Sequence, residues 1–169
     1  MRKRQGYTLI ELVVVLLLLI LVAAAVFTLA GTGSRTYLRL ASRQAQSADL
    51  RTGISYIDVQ INKHDTRGAL SIRPDPFAGQ PALVIEQTLE GETYLTWIYV
   101  LDGYLCELFV AQDTALIPEM ASKIVPMDSM QLEMPSADSI RVKLIRETEG
   151  LAQRQAERII HLQAGGLGS

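Results

Sequence analysis

The N-terminal part of the chain shows one long apolar run behind a short basic leader. The run extends over residues 7–30, and Arg2, Lys3 and Arg4 precede it. Three polar residues interrupt the run: Thr8, Glu11 and Thr28. About 20 helical residues, at a rise of about 1.5 Å each, span the hydrocarbon core of a bilayer. The pattern therefore predicts a membrane-spanning helix over residues 7–30.

Glu11 is the unusual residue of this run. A carboxylate at the centre of a membrane-spanning helix costs roughly 2.5–3.5 kcal/mol on insertion scales. Glu11 lies close to the leader end of the run, where a long side chain can also extend to the membrane interface. Either such an extension or a buried cationic partner offsets the cost, and the second hypothesis leads to a function.

Two questions about the run stay open at this point. Ala23, Ala24 and Ala25 contain the small-x-small pattern that a signal peptidase cuts, but a secretory signal has an apolar core of only about 7–15 residues. Charge alone does not decide the orientation, because three basic residues lie beyond each end. They are Arg2, Lys3 and Arg4 before the run and Arg35, Arg39 and Arg43 after it. We expect a cytoplasmic N-terminus, since the large polar domain then lies outside.

The N-terminus resembles that of the type IV pilin and pseudopilin family. The family pattern is a short basic leader, a glycine, an aromatic residue, the sequence Thr-Leu-Ile-Glu and a long apolar stretch. Here Gly6 and Tyr7 are followed by Thr-Leu-Ile-Glu, which ends at Glu11. The resemblance implies cleavage after Gly6 by a prepilin peptidase and N-methylation of Tyr7, at a position where the family more often has Phe.

Within that scheme, Glu11 has an electrostatic role in assembly. Cleavage creates a positive α-amine on Tyr7, four positions before Glu11. Glu11 of an incoming subunit can pair with this amine on a neighbour that is already in the filament. A buried opposite charge offsets desolvation, whereas a wrong axial register leaves both charges unpaired. Glu11 is therefore predicted to select the register as well as to add attraction.

Composition limits what lies beyond the anchor. The chain has 169 residues, which leaves room for one further domain. Without the leader, 13 Lys and Arg stand against 18 Asp and Glu, a net charge of −5. Such an acidic chain is not a general nucleic-acid binder. The three arginines after the run are therefore interpreted as a solvated face or as a rim near lipid headgroups. The single Cys106 forbids an intramolecular disulfide.

A helix is predicted from Ser34 to about Lys63, and it carries two apolar stripes. The bulky stripe consists of Leu50, Ile54, Ile57 and Ile61. The small-residue stripe consists of Leu38, Ala41, Ala45, Ala48, Thr52, Tyr56 and Val59. A helix packed on one side needs only one stripe. We expect the bulky stripe to face the chain's own sheet, and Ala41, Ala45 and Ala48 to face a helix of another subunit. The alternative is a helix buried on both sides within one domain.

Beyond the helix, the pattern predicts an antiparallel sheet, in which the strands within residues 83–110 form a meander. The predicted strands are residues 83–85, 94–100, 104–110, 130–134, 140–144 and 159–162. Asp102 and Gly103 form a two-residue hairpin signal. Residues 114–123 are interpreted as an irregular or short helical connection, and residues 150–157 are ambiguous between loop and helix. The fold class is therefore α+β and pilin-like, with a long N-terminal helix packed on an antiparallel sheet.

The chain divides into five predicted segments. They are a leader peptide (1–6), a transmembrane and assembly helix (7–30), an amphipathic continuation of that helix (31–67), an extracytoplasmic antiparallel β domain (68–164) and a flexible tail (165–169).

No catalytic, metal or cofactor site is predicted from the sequence. His64 and His161 are far apart, and neither lies at metal-ligand spacing from Cys or carboxylates. Cys106 lies within a strand signal and is expected to be a core residue. Four aromatic residues of the hairpin fit a core more often than a ligand surface: Tyr94, Trp97, Tyr99 and Tyr104.

The expected function is structural and not enzymatic. The resemblance implies a minor pilin or pseudopilin of a type IV pilus, a type II secretion system or a competence system. The implied partners are prepilin peptidase, other pilin or pseudopilin subunits, the assembly platform with its ATPase, and membrane lipid; nucleic acid is not expected. The protein is expected in the cell membrane and, after assembly, at the cell surface. The alternatives are a signal-anchored extracytoplasmic binding or sensor domain that does not polymerise and, third, a secreted enzyme.

Overall fold

A computed structural model describes the backbone of residues 9–164 and, apart from residues 30–36, 38 and 39, their side chains. One long helix, α1 (Leu9–Lys63), is followed within this range by eight strands and a 3-10 helix, Pro118–Met120. Internal contacts divide the chain into two units, residues 1–42 and residues 43–169. The first unit contains the N-terminal part of α1, and the second contains the rest of α1 and all the strands.

The first sheet has five antiparallel strands in the order β1-β2-β3-β4-β5. These strands are β1 (Leu70–Pro74), β2 (Pro81–Leu89), β3 (Glu92–Leu101), β4 (Tyr104–Ala111) and β5 (Ser122–Pro126). Asp102 and Gly103, which join β3 to β4, have φ angles of 49° and 77°. Two consecutive left-handed residues define a type I′ hairpin turn, so the predicted hairpin is confirmed.

The second sheet has three antiparallel strands in the order β6-β7-β8. They are β6 (Ser129–Ser136), β7 (Ser139–Arg146) and β8 (Arg154–His161). The α+β prediction is confirmed, and the predicted meander within residues 83–110 is present as β2-β3-β4. The strands are divided between two sheets, a division that the sequence pattern does not predict. The ambiguous segment 150–157 contributes the first half of β8. In the connection 114–123, only Pro118–Met120 is helical, and β5 already begins at Ser122.

The main core lies between α1 and both sheets. The bulky stripe supplies Leu50, Ile57 and Ile61, which are at most 4% exposed, and Ile54 packs beside them. The expectation that this stripe faces the chain's own strands is confirmed. At the ~25 cal/mol gained per Å² of buried apolar surface, a fully buried Leu or Ile contributes about 1.5–3 kcal/mol.

A second core covers the opposite face of the five-stranded sheet. Its buried residues are Ala82, Val84, Leu95, Trp97, Tyr99, Cys106, Leu108 and Val110. The loop after β1 closes over this face, because the buried carboxylate of Asp75 accepts backbone N–H bonds from Phe77, Ala78 and Gln80 at 2.6–2.9 Å. Burial raises the pKa of Tyr99 to about 12 and also raises the pKa of the Cys106 thiol. The predicted core role of Cys106 is confirmed.

Candidate assembly surfaces

The apolar part of α1 meets the requirements of a membrane anchor. Leu9–Leu29 is helical over 21 residues, and none of its most apolar stretch is buried within the described chain. At a rise of about 1.5 Å per residue, such a helix is about 30 Å long, which matches a hydrocarbon core. Because its side chains are exposed, the segment is not the core helix of a globular domain.

The polar residues of this segment differ in how they are accommodated. The Thr28 hydroxyl donates a 2.6 Å hydrogen bond to the carbonyl oxygen of Ala24, which satisfies it within the helix. Glu11 is exposed in the first described turn of α1, where the positive end of the helix dipole favours a carboxylate by about 0.3–1 kcal/mol. Gly6 and Tyr7, the predicted processing site, lie outside the described residues.

The described side chains of the small-residue stripe are exposed, except that Tyr56 is half-buried against the main core. Ala45, Ala48, Thr52 and Val59 are exposed in the second unit, and Val59 is 58% exposed. Ala41 is exposed in the first unit. The alternative in which α1 is buried on both sides within one domain is therefore wrong. The role of Ala41, Ala45 and Ala48 in packing against another helix stays a prediction.

Ion pairs fix the second-unit part of α1 on the strands. Arg146 at the end of β7 lies 3.3 Å from the Asp49 carboxylate on the helix and 2.8 Å from that of Asp128. The pKa of Arg146 is raised, mainly because of its hydrogen bond to Asp128. Arg158 on β8 lies 3.3 Å from the carboxylate of Asp58. The exposed stripe is thus presented on a helix that is held on both its flanks.

The turn that follows α1 contacts the last described residues. The carboxylate of Asp65 accepts backbone N–H bonds from Gln163 and Ala164. The neighbouring His64 places its Nδ1 3.0 Å from the carbonyl oxygen of Gln60. Sequence reasoning missed the contact with the C-terminal segment, because a backbone partner about 100 residues away leaves no pattern. The described residues contain no group of three or more His, Cys, Asp or Glu side chains placed to hold a metal ion.

Comparison with known families assigns both parts of the chain. Residues 48–147, more than half of the chain, match a family described as a domain of unknown function, DUF4860. The chain belongs to this family. Residues 1–27 match the prokaryotic N-terminal methylation motif, the signature of type IV pilins. The comparisons with curated proteins and with solved structures find no match.

The methylation motif confirms the resemblance to type IV pilins. The chain is a type IV pilin-like subunit whose motif belongs to a structural family and not to an enzyme family. The motif implies contact with a prepilin peptidase and with other pilin subunits. The DUF4860 match begins within α1 and covers seven of the eight strands. In the sequence, the DUF4860 domain therefore follows the N-terminal methylation motif.

Proposed function

We propose that this DUF4860 protein is a minor pilin or pseudopilin that is cleaved after Gly6, methylated on Tyr7 and polymerised through α1. The observation that carries the proposal is the combination of the methylation motif with Glu11 near the start of the exposed apolar segment Leu9–Leu29 of α1. A membrane anchor alone needs no carboxylate there, and the carboxylate has a cost. A filament gives it a function.

In this proposal, processing and assembly are two steps joined by one charge pair. The peptidase exposes the α-amine of Tyr7, and methylation leaves that amine positively charged. As α1 leaves the membrane, Glu11 of the entering subunit pairs with the amine of its neighbour. Removing one partner of a buried pair costs about 3–5 kcal/mol, so a subunit in the wrong register is rejected.

The remaining helix contacts are apolar and close. Ala41, Ala45 and Ala48 present small side chains on an exposed face, and small residues let two helix backbones approach each other. The proposed setting is the cell membrane, where an assembly platform with its ATPase acts on the subunit. Before assembly, the N-terminus is cytoplasmic and the second unit lies outside. The filament served is a type IV pilus, a type II secretion pseudopilus or a competence pseudopilus.

The N-terminus of the mature chain tests the processing step. Mass spectrometry of protein extracted from the membrane of its own host should show a chain that begins at methylated Tyr7. Gly6→Leu serves as the control and should retain the leader, because the new side chain occupies the cleavage position. An intact Met1 in the parent protein contradicts the proposal and supports an anchored sensor. A start near Val26 also contradicts it and supports secretion.

A charge placed on the small-residue stripe should block assembly without unfolding the subunit. Ala45→Arg adds a bulky cation to an exposed position, so stability should change by less than about 0.5 kcal/mol. Filament incorporation should nevertheless fall at least about tenfold, because the close helix contact is lost. Sheared-filament yield and thermal unfolding of the extracted subunit measure the two effects.

The matched control for that experiment is Ala115→Arg. Ala115 is an exposed alanine in the loop between β4 and β5, and the same substitution there should leave incorporation unchanged. Equal incorporation of both variants would show that the stripe is not an assembly face.

A further inference from the structure

The exposed stripe of α1 has two different flanks in the second unit. Ser47 and Asp58 lie on one side of the exposed stripe, as follows from roughly 3.6 residues per helical turn. Gln60 lies on the other side, where the half-buried Tyr56 forms the edge of the stripe. We call the first side the arginine flank, defined by Arg51, Arg154 and Arg158. We call the second side the glutamate flank, defined by Tyr56, Gln60 and Glu107. Their chemistry is complementary.

The arginine flank contains a shallow groove. Six residues from α1 and β8 line the groove: Arg51, Ile54, Ser55, Ala156, Glu157 and Arg158. Its two apolar residues, Ile54 and Ala156, are partly buried against the main core and leave apolar surface at the bottom.

The charges of the arginine flank are predominantly positive. Arg158 is neutralised by Asp58, and Glu157 lies 3.2 Å from Arg141, which offsets its charge. Arg51 forms no ion pair among the described residues, and Arg154 is held there only by a hydrogen bond to the Ser47 hydroxyl. On the arginine flank, the exposed guanidinium groups of Arg51 and Arg154 therefore have no carboxylate partner among the described residues.

The glutamate flank carries an incompletely satisfied carboxylate. Glu107 on β4 is half-buried, and burial raises the pKa of its carboxyl group. Its one described partner is the Gln60 amide, whose Nε2 lies 3.4 Å from Oε2 and also donates to the Tyr56 hydroxyl at 3.1 Å. A desolvated carboxylate with one long hydrogen bond gains more from a cation than a solvated carboxylate does.

An aromatic pair adjoins this carboxylate, and one of its two rings is exposed. Phe109 lies two residues after Glu107 on the same face of β4 and is 46% exposed. Its ring stacks on that of Tyr94, with centroids 5.1 Å apart and an interplanar angle of 10°. The glutamate flank therefore offers a large apolar group next to an anion, and the arginine flank offers an apolar floor next to cations.

We propose that the arginine flank of one subunit docks on the glutamate flank of a second copy of this chain. Arg51 then binds the Glu107 carboxylate, and Phe109 packs over Ile54 and Ala156. The contact joins two different surfaces, so it is heterologous, and repetition of a heterologous contact gives a ring or an open helical filament. The inference rests on the proposed function, since it identifies the lateral partner within the filament.

Charge reversal tests the pairing in the full chain, expressed and processed in the membrane of its own host. Arg51→Glu and Glu107→Arg should each lower filament yield at least about tenfold, because each places like charges across the contact. The double variant, which carries both changes in one chain, should recover most of that yield. The matched control is Arg67→Glu, at an exposed position after the end of α1, and it should assemble normally.

A milder variant separates docking from folding. A raised pKa means that the charged carboxylate of Glu107 disfavours the folded subunit at neutral pH. Glu107→Gln should therefore keep or raise the Tm of the extracted subunit and still lower filament yield. A fall in Tm together with unchanged filament yield would assign Glu107 a purely structural role and overturn the inference.

The outcomes distinguish this inference from the function on which it rests. If the parent chain polymerises and the charge-reversed chains do so equally, the lateral contact is wrong and the proposed function stands. If the parent chain is processed but never forms oligomers, both are overturned. A photo-cross-linking residue in place of Ser55 should join two copies of the chain, whereas a product that contains only a different protein overturns the assignment of the occupant.

Discussion

A chain carrying Glu11→Ala should be cut after Gly6 as efficiently as the parent chain and yet be almost absent from filaments. The substitution leaves the cleavage site untouched, so the α-amine of Tyr7 still forms. That amine then enters an apolar environment without its partner, at a cost of about 3–5 kcal/mol. Since about 1.4 kcal/mol corresponds to a factor of ten, incorporation should fall at least about a hundredfold.

The control for this variant is a neighbouring truncation that removes no charge. Leu12→Ala shortens an exposed apolar side chain in the same turn of α1 and should reduce incorporation only slightly. Glu11→Gln separates charge from shape and should behave like Glu11→Ala. Quantitative immunoblots of membrane and sheared-filament fractions give the ratio, and normal filament levels for Glu11→Ala would remove the charge pair from the proposal.

The N-terminal segment could be predicted from the sequence because its physics is local. A membrane-length apolar run needs no tertiary contact to be recognised, and the motif around Glu11 stands in consecutive positions. The helical periodicity also separated a bulky stripe from a small-residue stripe. The structure buries Leu50, Ile57 and Ile61 and exposes Ala45 and Ala48, in agreement with that separation.

The division into two sheets could not be predicted in the same way. β8 is a sheet edge with mostly exposed side chains, so its sequence lacks the alternation that marks a half-buried strand. Pairing with β7, from Ser139 opposite His161 to Arg146 opposite Arg154, is what makes it a strand. The short β1 and β5 likewise depend on their neighbours β2 and β4.

The two flanks of α1 were also beyond the reach of the sequence. In the sequence, Glu107 looks like an ordinary exposed strand residue. Its partner becomes visible only in the fold, where β4 lies beside Gln60 of the helix. Arg154 reads as part of an ambiguous segment until β8 is placed beside Ser47. In both cases, the informative neighbour is at least 47 residues away in the chain. A surface formed by distant segments has no sequence period, so only the fold brings its charges together.

The packing of α1 on the strands gives the second large expected effect, at Gly53. This glycine is buried where the helix crosses the core. A Cβ atom there would lie 2.7 Å from Leu144 Cδ1 and 3.1 Å from Met127 Cε. Gly53→Leu should therefore force the helix away from β7, and overpacking of this kind costs about 1–3 kcal/mol or somewhat more.

The size of the loss can be measured through a built-in probe. Trp97, the single tryptophan, is 8% exposed in the second core, so its fluorescence reports unfolding of the second unit. A urea titration of the full chain in detergent should show a free energy of unfolding about 3 kcal/mol lower for Gly53→Leu. Gly53→Ala should change it much less, because a helix-propensity gain of about 1 kcal/mol opposes the displacement of two side-chain ends.

Ser55→Leu provides the matched comparison two residues further along α1. Ser55 is exposed, so the same large side chain meets no core atoms there, and stability should change by less than about 0.5 kcal/mol. Because Arg146 bridges β7 to Asp49 in the adjacent turn, displacement at Gly53 should also weaken that ion pair. Equal unfolding midpoints for Gly53→Leu and the parent chain would contradict this prediction. They would mean that α1 does not pack on β7 as closely as the 2.7 Å between an added Cβ and Leu144 Cδ1 indicates.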